Sequence, residues 1–253
     1  MSNSPLVSYT RISPNKSIGR NHIIDTVSIH CTAGRCSVES LGGIFSHTSA
    51  QASSNYGVGD DGRIGMYVEE KDRSWCTSSR SNDMRAITIE VSSDSFHPYR
   101  VTDAAYNGLI KLLVDICKRN PNIQRLKWKG DKSLIGQVNK QNMTVHRWFA
   151  NKACPGDYLY SRHAQIADEV NKILDNEEDE DMDVNRFEEL FAEMRRDLQD
   201  NDASGYSEEA REWGINSGLF QGGGNDNYMW QDMVTREQLV TILHRFAKMM
   251  GKA

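Results

Sequence analysis

Two histidines and a cysteine in this chain have the chemistry to share one zinc ion: His30, His146 and Cys154. His30 closes the segment NHIIDTVSIH, and His146 and Cys154 lie in VHRWFANKACPG with seven residues between them. Zinc held by three protein ligands keeps its fourth tetrahedral position open for water, which is the catalytic pattern and not the structural one. Two neutral imidazoles and one thiolate leave the dication with a net positive charge, enough to acidify a water and polarise a carbonyl oxygen. The spacing alone is weak support. It matches no short zinc motif, and a histidine on an apolar segment is more often a satisfied core residue.

Such a triad needs a scaffold. Val27 and Ile29 alternate with polar neighbours, so residues 26–29 read as a half-buried strand ending at His30. Further strands are predicted over 65–68 and 87–91, with Asp60, Asp61 and Gly62 turning into the first of these. Ala105, Leu109, Leu112, Leu113 and Ile116 recur at helical spacing after Thr102, in a helix that must stop before Pro121. A last helix after Pro155 and Gly156 is predicted to bury Leu159, Ile166, Val170 and Ile173. Residues 122–143 are polar, contain Gly130 and Gly136, and read as a loop with one short helix, placed to shape a substrate groove. The acidic run DNEEDEDMD, 175–183, has no apolar face and reads as a solvated, flexible linker. It separates an α/β domain over 1–174 from a helical module over 184–253.

At 253 residues the chain has room for one full domain and a small second one. No run of 18 apolar residues suggests a membrane span, and no basic-aromatic stripe suggests nucleic acid. The start, MSNSPLVSYTRISPNK, lacks the apolar core of a secretory signal. Five cysteines are an odd number, which argues against a full disulfide framework and for synthesis in a reducing cytoplasm. The net charge of -5 hides an asymmetry: residues 1–174 carry 22 Lys and Arg against 16 Asp and Glu, and residues 175–253 carry 8 against 19. A basic first half suits an anionic polymer as partner; an ordinary solvated surface explains it equally well.

The segments VSIHCTAG, SSNYGVGDDGRIG, AITIEVSS and VHRWFANKACPG, in that order, resemble the type-2 N-acetylmuramoyl-L-alanine amidases. Those enzymes share a fold with peptidoglycan recognition proteins and are common in phage endolysins. The resemblance covers roughly residues 20 to 174. It implies an α/β fold, with a mixed central β-sheet flanked by helices, followed here by a small all-α C-terminal domain. It implies zinc held by His30, His146 and Cys154, and hydrolysis of the amide between N-acetylmuramic acid and L-alanine in peptidoglycan. It further implies an endolysin made in the host cytoplasm that reaches the wall after release.

The same resemblance assigns three helpers. Glu90, at the end of an apolar strand, is partly desolvated, which raises its pKa toward a working base; the bland alternative is an ion pair with Arg85. Lys152 matches a lysine beside the metal and would stabilise the oxyanion, unless it is simply a surface lysine. Tyr56 matches a tyrosine that assists in some relatives; it either donates to the oxyanion or packs under the turn. The chain departs from the family pattern where Cys31 replaces a second histidine and where Trp75-Cys76 replaces a Trp-His pair. Cys31 and Cys76 read as buried small hydrophobes. Cys36 falls near a disulfide cysteine of animal relatives but has no clear partner. Arg147 and Asp157 either orient a ligand from behind or form a surface salt bridge.

Beyond the acidic run, Phe187, Leu190, Phe191, Met194 and Leu198 form the apolar stripe of an amphipathic helix. EAREWGINSGLFQG and VTREQLVTILHRF then resemble one S-layer-homology repeat: helix, Gly-rich loop, second helix. Thr235 fits its N-cap, with Gln238 completing a capping box. Such repeats bind wall polysaccharide. A lone one buries little core, so pairing with a second copy in a homodimer is the companion expectation. Two other functions compete. A cysteine hydrolase would use Cys31 or Cys154 as nucleophile with His146 as base. A peptidoglycan-binding module without catalysis would ordinarily have lost the metal cysteine.

Overall fold

The computed structural model describes residues 2–180, 184–222 and 226–252. The chain divides into two compact units, 1–179 and 180–253. The first unit is built on eight strands: β1 (Val7–Thr10), β2 (Lys16–Ser17), β3 (Thr26–Cys31), β4 (Tyr56–Val58), β5 (Ile64–Met66), β6 (Arg73–Ser74), β7 (Ala86–Val91) and β8 (Met143–Thr144). Six form one mixed sheet in the order β1-β5-β4-β7-β3-β8, and β2 pairs with β6 apart from it. Only the β4–β5 pair in the large sheet is antiparallel.

β3 and β7 carry the site. Both are buried on both faces, which is why parallel pairing suits them; β3, expected to be half-buried from its alternation, is buried along its whole length, with Ser28 and His30 fully enclosed. Their register sets His30 opposite Glu90. Because the strands are parallel, their carboxyl ends lie side by side, which is where open α/β sheets place their ligands.

Five helices complete this unit: α1 (Val38–Phe45), α2 (Arg80–Arg85), α3 (Asp103–Arg119), α4 (Gly156–Tyr160) and α5 (His163–Glu180). α3 is capped by Thr102, whose hydroxyl accepts from the Ala105 amide, and it ends two residues before Pro121. Its apolar face buries Leu109, Leu112, Leu113 and Ile116 completely, each contributing roughly 1.5–3 kcal/mol. The single helix expected after Pro155 is two, broken between Tyr160 and His163. Leu159, Ile166 and Val170 are buried as the periodicity requires, but Ile173 is 38% exposed and Leu174 takes the inward place. α5 continues to Glu180, so the first part of the acidic run is helical and not a linker; the remainder, 181–183, lies outside the described residues.

The second unit holds α6 (Val184–Leu198), α7 (Glu208–Asn216) and α8 (Arg236–Met249). Thr235 and Gln238 make both bonds of the capping box. Tyr228 stacks on Trp230 with ring centroids 5.1 Å apart, and Phe220 meets the same indole at 5.6 Å. These rings line a cavity of about 550 Å³ with Asp232, Gln238 and Arg245. Residues 223–225, in the Gly-rich loop between α7 and α8, lie outside the described residues. Among the described residues no helix is long and apolar enough to cross a membrane.

Candidate active site

β3 delivers His30 to the carboxyl edge of the sheet, fully buried. Ser28 lies two residues earlier, on the same face of the strand. Its hydroxyl donates to the Thr144 carbonyl (3.2 Å) and therefore accepts from His30 Nε2 (3.1 Å). That assignment leaves the lone pair on Nδ1, which faces Cys154 Sγ at 3.3 Å and Glu90 Oε1 at 3.9 Å. His146 follows β8 in a short 3-10 turn, His146–Trp148, and its ring centroid lies 5.2 Å from that of His30. Cys154 precedes α4. Gly156 there has φ of +77°, and a Cβ would come within 2.6 Å of Tyr99 Cβ, so only glycine lets this turn pack so closely. The donor atoms of His30, His146 and Cys154 all lie within 4.8 Å of one another.

The electrostatics suit a cation. Burial pushes His30 down to about 3, and burial with the nearby Lys152 charge pushes His146 down, so both imidazoles are neutral and can offer lone pairs. A hydrogen bond with Cys31, burial and the Glu90 carboxyl hold the Cys154 thiol well above its usual value. Burial likewise raises Glu90, and its Oε2 is buried without a hydrogen-bond partner. Burial that raises both acids in the absence of a counter-charge, beside an unpartnered Glu90 oxygen, is what a dication would offset, favouring their ionised forms. The set of two nitrogens and one sulfur fits zinc.

Of the remaining candidates, Lys152 is exposed and its ammonium has no hydrogen bond or ion pair among the described residues. Glu90 does not pair with Arg85; that guanidinium grips Asp25 at 2.6 and 2.8 Å. Tyr56 is a correction. It is fully buried, its hydroxyl donates to Glu70 (2.7 Å) and accepts from the Ser4 amide (2.9 Å), and it is therefore committed to the core and not to an oxyanion. Arg147 and Asp157 pair with each other at 2.9 Å and touch no proposed ligand side chain, which is the salt-bridge alternative. Cys76 is buried, as a small hydrophobe would be, but its thiol also points at Glu90 Oε1, 3.8 Å away.

Sequence reading missed the residues that hold these in place. Ser28 orients His30. The Ser78 hydroxyl meets His146 Nε2 at 2.9 Å from a backbone φ of +61°, uncommon for serine. Asp83 is buried and accepts from the amides of Cys76 and Thr77 and the Thr77 hydroxyl, pinning the loop that carries both Cys76 and Ser78. The strand period was a signal for Ser28; nothing local marks the other two. Residues 126–140 contribute to a cavity of about 770 Å³ that includes Trp128, Lys129, Leu134 and Lys140. Trp128 stacks on Trp148, in the turn that carries His146, at 5.0 Å.

The pattern of the N-acetylmuramoyl-L-alanine amidase family matches residues 20–157, just over half of the chain. The chain belongs to that family. Its first unit is thus an amidase domain, and peptidoglycan amidase activity is what membership supports. No curated protein sequence matches the chain. Solved structures similar to it include the catalytic domain of XlyA, at 15% identity, covering 64% of this chain and 97% of that one with a TM-score of 0.45. The selenomethionine derivative of AmpD is similar at 20% identity, covering 64% and 95% with a TM-score of 0.48. The N-acetylmuramoyl-L-alanine amidase LysC from Clostridium intestinale URNW is similar at 17% identity, covering 65% and 95% with a TM-score of 0.41.

Proposed function

We propose that the amidase domain is a zinc-dependent hydrolase of the bond between the lactyl carbonyl of N-acetylmuramic acid and the amine of L-alanine. The observation that carries this reading is the convergence of His30, His146 and Cys154 beside the orphaned carboxylate oxygen of Glu90. Zinc held there would act as a Lewis acid, polarising the carbonyl and acidifying a water.

The chain's own groups do the rest. His30 and His146 stay neutral through burial and present lone pairs, with Ser28 and Ser78 fixing the rings. Glu90 accepts the proton of the attacking water on its unpartnered oxygen and returns it to the departing alanine amine. The products are a lactyl carboxylate and a free peptide amino terminus. Lys152, exposed and close to His146, offers its charge to the carbonyl oxygen as that oxygen becomes negative.

The electrostatics disfavour Cys154 as a nucleophile. A cysteine-histidine pair needs a depressed thiol pKa and a protonated imidazole; a hydrogen bond with Cys31 and burial raise Cys154, and burial lowers His146. Cys31 is itself lowered by its hydrogen bond with Cys154, so against Cys31 stands only the neutral His146. We further propose that the protein serves as an endolysin, made in the host cytoplasm and acting on the wall after release, with the second unit binding wall polysaccharide or pairing two copies. The test of the zinc reading is metal analysis paired with activity. The expected result is about one zinc per chain, loss of muropeptide cleavage on chelation and recovery with zinc; a metal-free chain with full activity would contradict it.

A further inference from the structure

Cys76 has no part in the reaction just described, yet it faces the site. Its sulfur lies 3.8 Å from Glu90 Oε1, which lies 3.9 Å from His30 Nδ1. The donor atoms of His30, Cys76 and Glu90 are within 4.8 Å of one another, a second cluster of ligand dimensions. Asp83 holds the Cys76 amide, so the backbone that carries the thiol is anchored beside the site. Glu90 Oε2 is buried with no partner, an acceptor that coordination would satisfy.

Both clusters contain His30, and His30 has one nitrogen to give. Nε2 is engaged by Ser28, so only the Nδ1 lone pair is free, and one lone pair serves one ion. We propose that the cation of this site has two alternative positions that pivot on His30: one completed by His146 and Cys154, the other by Cys76 and Glu90. The inference rests on the zinc reading above and concerns the same ion. The second position is a nitrogen, sulfur and oxygen set of the kind zinc and other thiophilic dications accept. It carries a thiolate and a carboxylate, so a dication there is electrically neutral, the better match for a buried place. Filling it releases the Cys76 thiol proton to solvent. It also makes Glu90 a ligand, which removes the proton acceptor. The second position is therefore a resting one.

Cobalt(II) reports thiolate ligation directly, through a sulfur-to-metal charge-transfer absorption, without any reference to activity. In Cys154→Ser the first position has no sulfur. The expected result is that cobalt-loaded Cys154→Ser keeps a charge-transfer band and that Cys76→Ser/Cys154→Ser loses it. A band already absent in Cys154→Ser, beside a normal band in the wild type, would overturn the proposal, and so would a band that survives in the double variant. Should Cys154→Ser not fold, His146→Ala is the second background: adding Cys76→Ser is expected to weaken cobalt binding at least tenfold, and an unchanged affinity would overturn the proposal. A wild-type chain that binds no cobalt at all would contradict the zinc reading itself, so the two failures are distinguishable.

Discussion

At the scale of single residues, the site depends on which atom each side chain has left to give. His30 keeps Nδ1 because Ser28 takes Nε2, and Glu90 keeps Oε2 because nothing takes it. Replacing Glu90 by Gln removes the proton acceptor with little change of shape. The expected effect is a fall in kcat on the order of 10²–10⁴, with zinc content unchanged by elemental analysis; near wild-type turnover would remove Glu90 from the mechanism. Tyr56 is predicted to behave in the opposite way. Tyr56→Phe deprives the buried Glu70 and the Ser4 amide of a partner, so it should cost roughly 1–3 kcal/mol in chemical denaturation and leave kcat near wild type. A large loss of kcat at full stability would restore it to the site. His30 and Glu90 stood out in the sequence because each ends a patterned strand, whereas His146 and Cys154 were singled out through the family resemblance and not by their spacing; the structure brings His30, His146 and Cys154 within 4.8 Å of one another. Which of the two roles left open for Tyr56 holds was not legible, because its hydroxyl is directed by Glu70, fourteen residues away across a turn, and by the Ser4 amide. Spacing carries no information about such partners.

At the scale of elements, parallel pairing of β3 with β7 is what converts two distant segments into one site. β3, β7 and α3 were legible from their periodicity. β5 was legible as the strand expected over 65–68, but β2, β4, β6 and β8 were not, since so short a span shows no period. α1 was hidden by Gly42 and Gly43, poor helix formers. Gly42 is required there by packing: a Cβ would meet the Tyr9 ring at 2.9 Å. α5 begins with His163, which is fully buried with Nδ1 bonded to the Leu159 carbonyl at 2.8 Å and Nε2 without a partner. Burial lowers its pKa from 6.5 to about 4. In that window the unfolded chain binds the proton and the folded chain does not, so the contribution is whole above pH 6.5 and is lost as pH falls toward 4. Between about pH 7 and pH 5 it amounts to roughly 2 kcal/mol. His163→Asn, which keeps a donor for Leu159 and cannot titrate, should flatten the pH dependence of denaturation midpoints by that amount. An unchanged slope would show that His163 is not the group responsible.

At the scale of the whole molecule, all of the proposed ligands and the base fall within residues 1–179, and the second unit contributes none. The second unit keeps Phe187, Phe191, Leu239, Leu243 and Phe246 exposed. An apolar display of this kind on helices is what a pairing surface presents. If the tail pairs two copies, light scattering should give a dimer for the full chain and a monomer for a chain ending after Glu180. Equal oligomeric states would contradict the pairing and leave wall binding as the tail's proposed role. Composition marks a boundary at 175–183, whereas the chain divides after Asp179, because the acidic run continues α5 to Glu180 and does not interrupt it.

The most direct test of the central claim is the chemistry of the ends produced when the purified protein digests bacterial wall. The account predicts new free L-alanine amino termini without new reducing sugar ends. These should vanish on chelation, return with zinc and be absent in Cys154→Ser. New termini within the stem peptide that persist in chelator would contradict it and transfer the reaction to a cysteine nucleophile.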